Sequence, residues 1–429
     1  MSSSSRPETP AWLASAVAWL NPRRLHAQAA VLALCLWGVC AVDFATHGIF
    51  DRAGNIKFQD FLQFPIAARL IAQGRAAELY DDQFLTHEIR AIVGRETTVH
   101  LQYFYGPQVG ALFLPLDRLS FLAQAGIWVT LSMLIYFSCV YLLWKDCRGL
   151  SPYPGLVALC ALAYPPLFHF FVRGQVSALA LACFTAALLA FRFDQDWLAG
   201  IALGLLVFKP QFLVAVPLVL LLAQAWKALA GVLVSAGTQI ALTFIYFGPP
   251  VMRPYLSMLL HSAGQPGTTE LSLSPIQMHS LHTFWELLIP WPRGVWALYL
   301  LSALAVVGMA AAVWKSSSPL ALRFSALTLA AVLLNPHIYI YDLLVLAPVL
   351  LLVVDWSVSN VHRHSAAALL VLSYLAFLLP LFGPLARWTH LQLSVPIFAA
   401  LLWTLWRQSA ELSVPNGGRS LATPDSRVV

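Results

Sequence analysis

Four short stretches place charged or hydrogen-bonding residues within or beside long apolar runs, and these residues could do chemistry. A charged side chain at the centre of a bilayer costs about 2.5–3.5 kcal/mol on the translocon-insertion scale. Ionisable residues kept there usually mark functional sites, so each stretch is a candidate. In chain order the candidates are Asp60, Arg173-Gly174-Gln175, Lys209, and Asn335-Pro336-His337 with Tyr339, Tyr341 and Asp342.

Asp60 lies in the stretch KFQDF, at the predicted start of a helix. One interpretation is a helix N-cap, because aspartate is among the best capping residues. The other is a general base that takes a proton from a hydroxyl, which requires a carboxylate held close to both substrates.

Arg173, Gly174 and Gln175 separate two apolar runs. As an ordinary turn they would hold an arginine that snorkels to the membrane surface. As a binding site they would offer a glycine that lets a ligand approach the backbone, and a glutamine that donates and accepts hydrogen bonds.

Lys209 interrupts the apolar run ALGLLVFKPQFLVAVPLVLLLAQ at residues 202–224. It could pair with a buried acid, for which Asp342 is the acidic residue that opens a late apolar run. Alternatively, it could bind the phosphate of a ligand in a water-filled cavity, since lysine and arginine are the natural partners of phosphate.

The last candidate stretch combines His337 and Asp342 with two tyrosines at a break between apolar runs. A lone histidine is usually structural, and this combination is more suggestive without being specific. His279 and His282 are three residues apart, but two histidines do not make a metal site, so we interpret them as loop residues. The sequence predicts no metal site and no cofactor.

The elements that carry these residues belong to a membrane protein. The 429 residues are 59% hydrophobic and 10% charged, whereas soluble proteins carry about 25% charge. Apolar runs near the spanning length of about 20 residues recur along the chain. The net charge of +6 is expected from basic cytoplasmic loops, so it does not indicate nucleic-acid binding. The six cysteines contain no CxxC pair and predict neither a disulfide framework nor a zinc site.

We predict an all-α polytopic bundle of about 12 transmembrane helices in one catalytic domain, residues 28–406. Residues 1–27 are predicted to be a cytoplasmic tail with an interfacial segment, and residues 407–429 a second cytoplasmic tail. Two polar segments, 47–107 and 248–290, are predicted to be loops on the outer face.

The first polar segment should carry amphipathic surface helices. Phe61, Phe64, Ala68 and Ile71 recur at helical spacing with polar residues between them, and Gly74 should end the helix. This pattern is typical of a helix that lies on a membrane surface.

Two arrangements are possible around Lys209. Residues 198–224 form either one kinked span or two short helices that meet at a turn at Lys209-Pro210-Gln211, since Pro210 disrupts a continuous helix. Counting basic loop residues favours the turn, with the Arg173 stretch on the outer side. That arrangement requires the run at 108–121 to be re-entrant or interfacial. If residues 108–121 instead cross the membrane fully, residues 198–224 would form one kinked helix.

Several of these stretches, taken in order over residues 28–355, form a pattern. They are Asp60-Phe61 followed by AARLIAQGRAAELYDDQF, Tyr105-Gly106-Pro107, Arg173-Gly174-Gln175, Lys209-Pro210-Gln211, Phe247-Gly248-Pro249, and Pro336 through Tyr341-Asp342-Leu343. The ordered set resembles the family 87 glycosyltransferases of the GT-C class, which include polyprenyl-phosphate-mannose-dependent α-mannosyltransferases.

The resemblance implies a GT-C-type bundle in the cell inner (plasma) membrane, with its active site on the extracytoplasmic side. The implied donor is a polyprenyl-phosphate-linked hexose, with mannose expected, and the implied acceptor is a glycolipid or glycan hydroxyl. Membrane lipids would surround the protein, and no nucleic acid would take part.

The resemblance also implies roles for single residues. Asp60 would be the general base for an inverting displacement, and Lys209 with Arg173 would hold the leaving phosphate. Gln175, His337 and Tyr105 would position sugar or phosphate groups. Asp342 would orient His337.

The chain departs from the family pattern at two positions, which bear on the sugar and the acceptor and not on the reaction class. Tyr105-Gly106-Pro107 stands where the family more often has Tyr-Pro-Pro, and His337 where it often has tyrosine.

A polytopic transporter or lipid flippase is the main alternative, because broken helices and a mid-membrane lysine suit transporters equally well. Transporters more often show inverted repeats, which this chain lacks. A purely structural membrane subunit is a weaker alternative, because it would not need intramembrane charges. No nucleotide-binding motif is present, so a donor substrate should be a lipid or a small molecule.

Overall fold

The protein is described from a computed structural model, which describes residues 10–94, 99, 101–264 and 277–413. Within these ranges all regular structure is helical, apart from two isolated bridges at Phe50–Ile56 and Met278–Tyr339. The outer parts of both predicted tails, 1–9 and 414–429, and the middle of the predicted 248–290 loop lie outside the described residues.

The α-helices are numbered in chain order. The first half of the chain contains α1 (Ala11–Trp19), α2 (Pro22–Phe44), α3 (Gln63–Ala72), α4 (Asp82–Val93), α5 (Pro107–Ala111), α6 (Phe121–Trp144), α7 (Pro154–Leu162), α8 (Pro165–Arg173), α9 (Ser177–Arg192) and α10 (Asp196–Gly204). The second half contains α11 (Ala215–Leu222), α12 (Trp226–Gly264), α13 (Leu281–Leu288), α14 (Pro292–Lys315), α15 (Leu320–Leu333), α16 (Ala347–Ser359), α17 (His364–Leu378), α18 (Ala386–Thr389) and α19 (Ser394–Ser413).

Short 3-10 helices extend or connect several of these elements. They are Gln59–Leu62, Ala76–Tyr80, Leu114–Leu116, Leu205–Phe208, Pro210–Leu213, Ile340–Leu346 and Leu379–Leu385. The segment Ile340–Leu346 packs against α8 and α9, and it runs directly into α16. Helix α12 is broken at Gly248, whose φ of 71° and ψ of 177° lie outside the helical range.

The predicted count of about 12 transmembrane helices is not confirmed. Within the described ranges, six helices are long and apolar enough to cross a membrane, and a seventh span results if α7 and α8, bent by 45°, count as one. Other apolar runs fold as shorter helices, such as Ser177–Arg192 and Leu320–Leu333. At 1.5 Å per residue these reach only about 21–24 Å, less than the hydrocarbon core of about 30 Å. The chain is therefore a multi-pass membrane protein with several partial spans.

The helix predicted after Asp60 is present as α3, and the chain turns at Gly74 as expected. Its placement differs from the prediction of a surface helix, because seven of its ten residues are buried, including Ile66 and Ala67. A surface helix buries one stripe, whereas α3 is enclosed by protein on most sides. Helix α4 fits the amphipathic pattern better, since it buries only Leu85, Ile89 and Val93.

The run at 108–121 does not cross the bundle. Helix α5 has only five residues, and a short 3-10 turn follows it before α6 begins. It packs against α3, where a Cβ added at Gly110 would lie 2.7 Å from the Ala67 Cβ. The segment therefore belongs to the same layer as the Asp60 region.

Lys209 lies at the tip of a helical hairpin. Its φ of −127° and ψ of 74° break the helix between Leu205–Phe208 and Pro210–Leu213. Helices α10 and α12 run parallel, because Gly200 approaches Ala228 while Gly204, one turn later, approaches Val232 and Ser235.

Helix α12 lies so close to Gly200 and Gly204 that a side chain on either glycine would collide with its backbone. A Cβ at Gly200 would lie 2.0 Å from the Ala228 carbonyl oxygen, and one at Gly204 would lie 2.6 Å from that of Val232. The connecting segment, Pro210–Leu222, must then run in the opposite direction, and its helix α11 packs against α12, α14 and α15. The geometry supports the predicted turn at Lys209-Pro210-Gln211 over a single kinked span.

This arrangement predicts that Gln195 and Gln224, at the two bases of the hairpin, face the same side of the membrane. Both side chains are exposed. In a background with the exposed Cys35 replaced by serine, Gln195→Cys and Gln224→Cys should react with a membrane-impermeant thiol reagent from the same side.

The control is Asn55→Cys, in the exposed loop on the Asp60 side, which should react only from the opposite side. One kinked span would instead place residues 195 and 224 on opposite faces, and that labelling pattern would refute the hairpin.

Candidate active site

The carboxylate of Asp60 is held by the Arg173-Gly174-Gln175 stretch. Gln175 Nε2 donates a hydrogen bond to Asp60 Oδ2 at 2.9 Å, and Arg173 Nη1 lies 3.4 Å from Asp60 Oδ1. No side-chain capping bond is made at the start of α3 or of the preceding 3-10 helix. The helix-cap interpretation of Asp60 is therefore wrong, and two stretches that are 113 residues apart in the chain form one site.

Gly174 makes this contact possible. Its φ of 69° is in the left-handed region, which lets α8 end and Gln175 turn toward Asp60. A Cβ at Gly174 would also lie 2.8 Å from the Phe61 Cβ, so a side chain would push the Asp60 segment away. Trp128 Nε1 donates to the Gln175 carbonyl at 3.0 Å and fixes the turn from the other side.

A second centre forms around Lys209, which is only 2% exposed. Its Nζ makes a hydrogen-bonded ion pair with Asp342 Oδ1, and it donates to Ser177 Oγ at 3.1 Å. Ser177 Oγ donates in turn to Asp342 Oδ1 at 2.6 Å. Of the two roles predicted for Lys209, the structure displays the pairing with a buried acid.

Aromatic rings surround the Lys209 ammonium group. It lies 5.7 Å from the ring centroid of Tyr105 and 5.5 Å from that of Tyr341, within the range of cation–π attraction. Tyr339 stacks on Tyr341 at 5.3 Å. The charge of Lys209 is thus compensated by one carboxylate, one hydroxyl and two ring faces.

Tyr105 connects the two centres. Its hydroxyl donates to Gln175 Oε1 at 2.8 Å, while its ring faces Lys209. Burial raises the pKa of Tyr105 well above its ordinary value, and the nearby carboxylates of Asp342 and Asp60 raise it further. The tyrosine therefore stays neutral and acts as a hydrogen-bond donor.

His337 lies in a neighbouring cluster with His282. The two histidines interact electrostatically, and His282 also stacks against Trp296 with ring centroids 4.7 Å apart. Burial lowers the pKa of His282 to about 4 and that of His279 to about 3. Both histidines were interpreted as loop residues: His279 does lie outside the helices but is buried, with Nδ1 2.7 Å from Ser394 Oγ, whereas His282 lies in α13.

The neighbouring cluster joins the Lys209 centre through the backbone. The His279 N–H donates to the Ile338 carbonyl at 2.8 Å, next to the tyrosines that face Lys209. The Asp342 carboxylate, predicted to orient His337, is engaged by Lys209 and Ser177.

Six of the seven predicted site residues meet in the two connected centres, and the seventh, His337, borders them. Sequence reasoning missed Ser177, Trp128 and the placement of Tyr341. Ser177 follows the Arg173-Gly174-Gln175 stretch by two residues, and that proximity was the available signal. Among the described residues, no three histidine, cysteine or acidic side chains group in a way that could hold a metal ion.

The arrangement separates an accessible carboxylate from a buried cation. The Asp60 side chain is 15% exposed and that of Arg173 is 37% exposed, whereas Lys209 and Asp342 are each 2% exposed. The centre formed by Asp60 and Arg173 can therefore accept a proton from a bound hydroxyl and present a cation to an anion. The buried centre around Lys209 holds these residues in place.

A sequence model of glycosyltransferase family 87 matches residues 103–336, more than half of the chain. The matched range includes Tyr105, Arg173, Gln175 and Lys209 and ends before His337. Asp60 and Asp342 lie outside it and are connected to it by the geometry described above. No curated protein and no solved structure matches the chain.

The buried ion pair predicts a specific pattern of stabilities. Lys209→Met leaves Asp342 buried without a counter-ion and should lower the free energy of unfolding by about 3–5 kcal/mol, and Asp342→Asn should cost a similar amount. The double variant Lys209→Met/Asp342→Asn removes both charges and should recover most of that loss. Thermal unfolding in detergent micelles measures all three.

The matched control is Arg192→Gln, which removes the surface pair between Arg192 and Asp146, and should cost at most about 1 kcal/mol. If the double variant is as unstable as the sum of the single variants, the two residues do not act as a pair.

Proposed function

Because the chain belongs to glycosyltransferase family 87 and is a multi-pass membrane protein, we propose that it transfers mannose from polyprenyl-phosphate-mannose to an acceptor. The acceptor is a hydroxyl of a glycolipid or glycan, and transfer takes place at the outer membrane face of the cell inner membrane. The observation that carries the proposal is the Asp60 carboxylate, held partly exposed between Arg173 and Gln175.

In the proposed reaction Asp60 is the general base. It takes the proton of the acceptor hydroxyl as the acceptor oxygen attacks the anomeric carbon of the donor. The new oxygen–carbon bond forms as the bond between the anomeric carbon and the phosphate oxygen breaks. The configuration inverts, and polyprenyl phosphate leaves with the bonding electrons.

Arg173 is the residue best placed to bind the leaving phosphate. It is the more exposed of the two site cations, and its 3.4 Å contact with Asp60 leaves other guanidinium N–H groups for a ligand. Its positive charge would stabilise the negative charge that develops on the phosphate in the transition state.

Lys209 is proposed as a second phosphate ligand under one condition. In the structure described here its ammonium group is paired with Asp342 and enclosed by Tyr105 and Tyr341. A phosphate must therefore displace Asp342 or bind on the far side of the rings. In the second case the positive charge of Lys209 attracts the phosphate electrostatically without contact, and Lys209 also holds Tyr105 in place.

The remaining predicted residues take positioning roles in the proposal. Gln175 and Tyr105 fix the orientation of the Asp60 carboxylate through consecutive hydrogen bonds. His337 is proposed to contact the sugar or phosphate from the neighbouring cluster, and Asp342 acts as the counter-ion of Lys209. Residues 28–406 are proposed to form one catalytic domain, since the site draws on segments from Asp60 to Asp342.

The first test is sugar transfer by the purified protein with radiolabelled polyprenyl-phosphate-mannose and a mixed extract of membrane glycolipids. Asp60→Asn should reduce the rate of transfer by roughly 10²–10⁴-fold, the usual contribution of a general base. Asp51→Asn, in the same segment but half-buried and bonded to Asn55, is the control and should retain activity.

Unchanged transfer by Asp60→Asn would refute its role as base while keeping the reaction class. If neither the wild-type protein nor the control forms product, the proposed donor is wrong. Uptake into vesicles would then test the transporter alternative directly.

A second test concerns the phosphate. Binding of polyprenyl phosphate, which has no sugar to transfer, should weaken about tenfold or more in Arg173→Gln, because a charge-assisted hydrogen bond is lost. The double variant Lys209→Met/Asp342→Asn tests Lys209 without leaving an unpaired buried acid, and it should also bind more weakly. Arg192→Gln, at a surface pair at the opposite end of α9 from Ser177, is the control.

Unchanged affinity in the double variant would assign Lys209 a structural role alone. Unchanged affinity in Arg173→Gln would remove Arg173 from the phosphate site.

A further inference from the structure

A large apolar cavity opens in the half of the bundle away from Asp60. Its volume is about 960 Å³, at the upper end of the range of roughly 300–1,000 Å³ that is usual for ligand pockets. It lies between α2, α7, α16 and α17, and α1 closes part of it. Almost all of its lining is aliphatic or aromatic, with Gln28 hydrogen-bonded to the Tyr374 hydroxyl at 3.0 Å.

The cavity has the length of a lipid chain. Along α2 it extends from Pro22 to Cys35, a rise of about 20 Å, which exceeds half of the hydrocarbon core of about 30 Å. Its lining also includes exposed residues, such as Val31 and Cys35, so it is open sideways to the bilayer.

Four arginines are close in the chain to residues that line one end of the cavity, called the arginine rim below. Pro22, Leu150 and Val361 line it there, and they lie within two residues of Arg23, Arg148 and Arg363, respectively. Arg24 adds a fourth charge and lies over the Trp19 ring at 5.9 Å. Arg23, Arg24 and Arg148 are exposed, and Arg363 is half-buried.

Two acidic residues close in the chain to Arg148 and to the end of α16 already have partners. Asp146 Oδ2 accepts a bond from Arg192 at 2.6 Å. Asp355 Oδ1 accepts the backbone N–H groups of Gly149 and Leu150 at 2.7 and 3.1 Å. The rim therefore presents net positive charge beside an apolar cavity.

The arginine rim is at the opposite end of α2 from the candidate active site. Helix α2 starts at Pro22 beside the rim and ends at Phe44, whose ring packs against Phe58, two residues before Asp60. A ligand headgroup at the rim is thus separated from Asp60 by the length of the 23-residue helix.

We propose that this cavity is a binding site for an anionic phospholipid of the leaflet opposite the active site. Its acyl chains fill the cavity between α2, α7, α16 and α17, and its phosphate contacts the arginines at the rim. Apolar surface binds the chains, and basic residues between transmembrane helices are the usual partners of anionic lipid headgroups. The proposal does not depend on the sugar donor or on the reaction.

The native cysteines provide the readout. Cys35 and Cys160 line the cavity, whereas Cys183 is half-buried elsewhere and serves as an internal reference. The protein is delipidated in detergent and treated with a small membrane-permeant thiol reagent, and labelling is quantified by peptide mass spectrometry. Phosphatidylglycerol should slow labelling of Cys35 and Cys160 but not of Cys183, and phosphatidylcholine with the same chains should have a much smaller effect.

Variants separate the headgroup contact from the cavity. Arg23→Gln/Arg148→Gln should raise the phosphatidylglycerol concentration needed for protection by roughly fivefold per arginine removed. The matched control Arg52→Gln/Arg118→Gln removes two exposed arginines at the Asp60 end and should leave protection unchanged.

Three results would overturn the proposal. Equal protection by both phospholipids, or unchanged protection in Arg23→Gln/Arg148→Gln, would show that the arginines select no anionic headgroup. Protection by polyprenyl phosphate with none by phosphatidylglycerol would assign the cavity to the sugar donor instead. Transfer activity is not needed for any of these readouts, so they stand whether or not the proposed reaction is correct.

Discussion

The ion pair between Lys209 and Asp342 is the interaction on which the rest of the site depends. Both side chains are buried, so each charge is tolerated in the protein interior only because the other charge neutralises it. The pair, with Ser177, ties together three elements: the tip of the α10–α11 hairpin, the first residue of α9 and the segment before α16. Because Gln175 is two residues before Ser177, fixing α9 also fixes the residue that holds Asp60.

The two centres balance their charges separately. Asp60 is paired with Arg173 and Asp342 with Lys209, so these four residues together carry no net charge. In the proposed reaction this has a chemical use. When Asp60 takes the acceptor proton it loses its charge, and Arg173 loses its partner as the leaving phosphate becomes more negative. Proton uptake at Asp60 would then release the Arg173 cation for the leaving group.

Sequence reasoning found the site residues more readily than their arrangement. Charges in apolar runs are conspicuous, which is why Asp60, Arg173 and Lys209 could be singled out. Asp342 was one of two alternatives for the partner of Lys209, and the sequence could not decide between them because the two residues are 133 positions apart. The hairpin at Lys209 was one of two predicted alternatives. The close approach of Gly200 and Gly204 to α12 favours it, because these contacts show that α10 and α12 run in the same direction.

The errors have a physical origin as well. Apolar periodicity shows that a face is buried, but it does not show whether protein or lipid covers it, so α3 was predicted at the membrane surface when it is enclosed by protein. The count of about 12 spans is not confirmed for a similar reason, because an apolar run of 14–16 residues has the composition of a membrane segment whether it crosses or stops inside the bundle.

Order along the chain also matters for how such a protein is made. Lys209 enters the membrane 133 residues before Asp342, and at roughly 5–20 residues per second the ribosome needs on the order of ten seconds to supply the counter-ion. During that interval the hairpin carries an unpaired charge, so its tip must stay in water, in the insertion machinery or against a chaperone until the segment before α16 arrives. The active site is therefore among the last parts of this protein to close during biosynthesis.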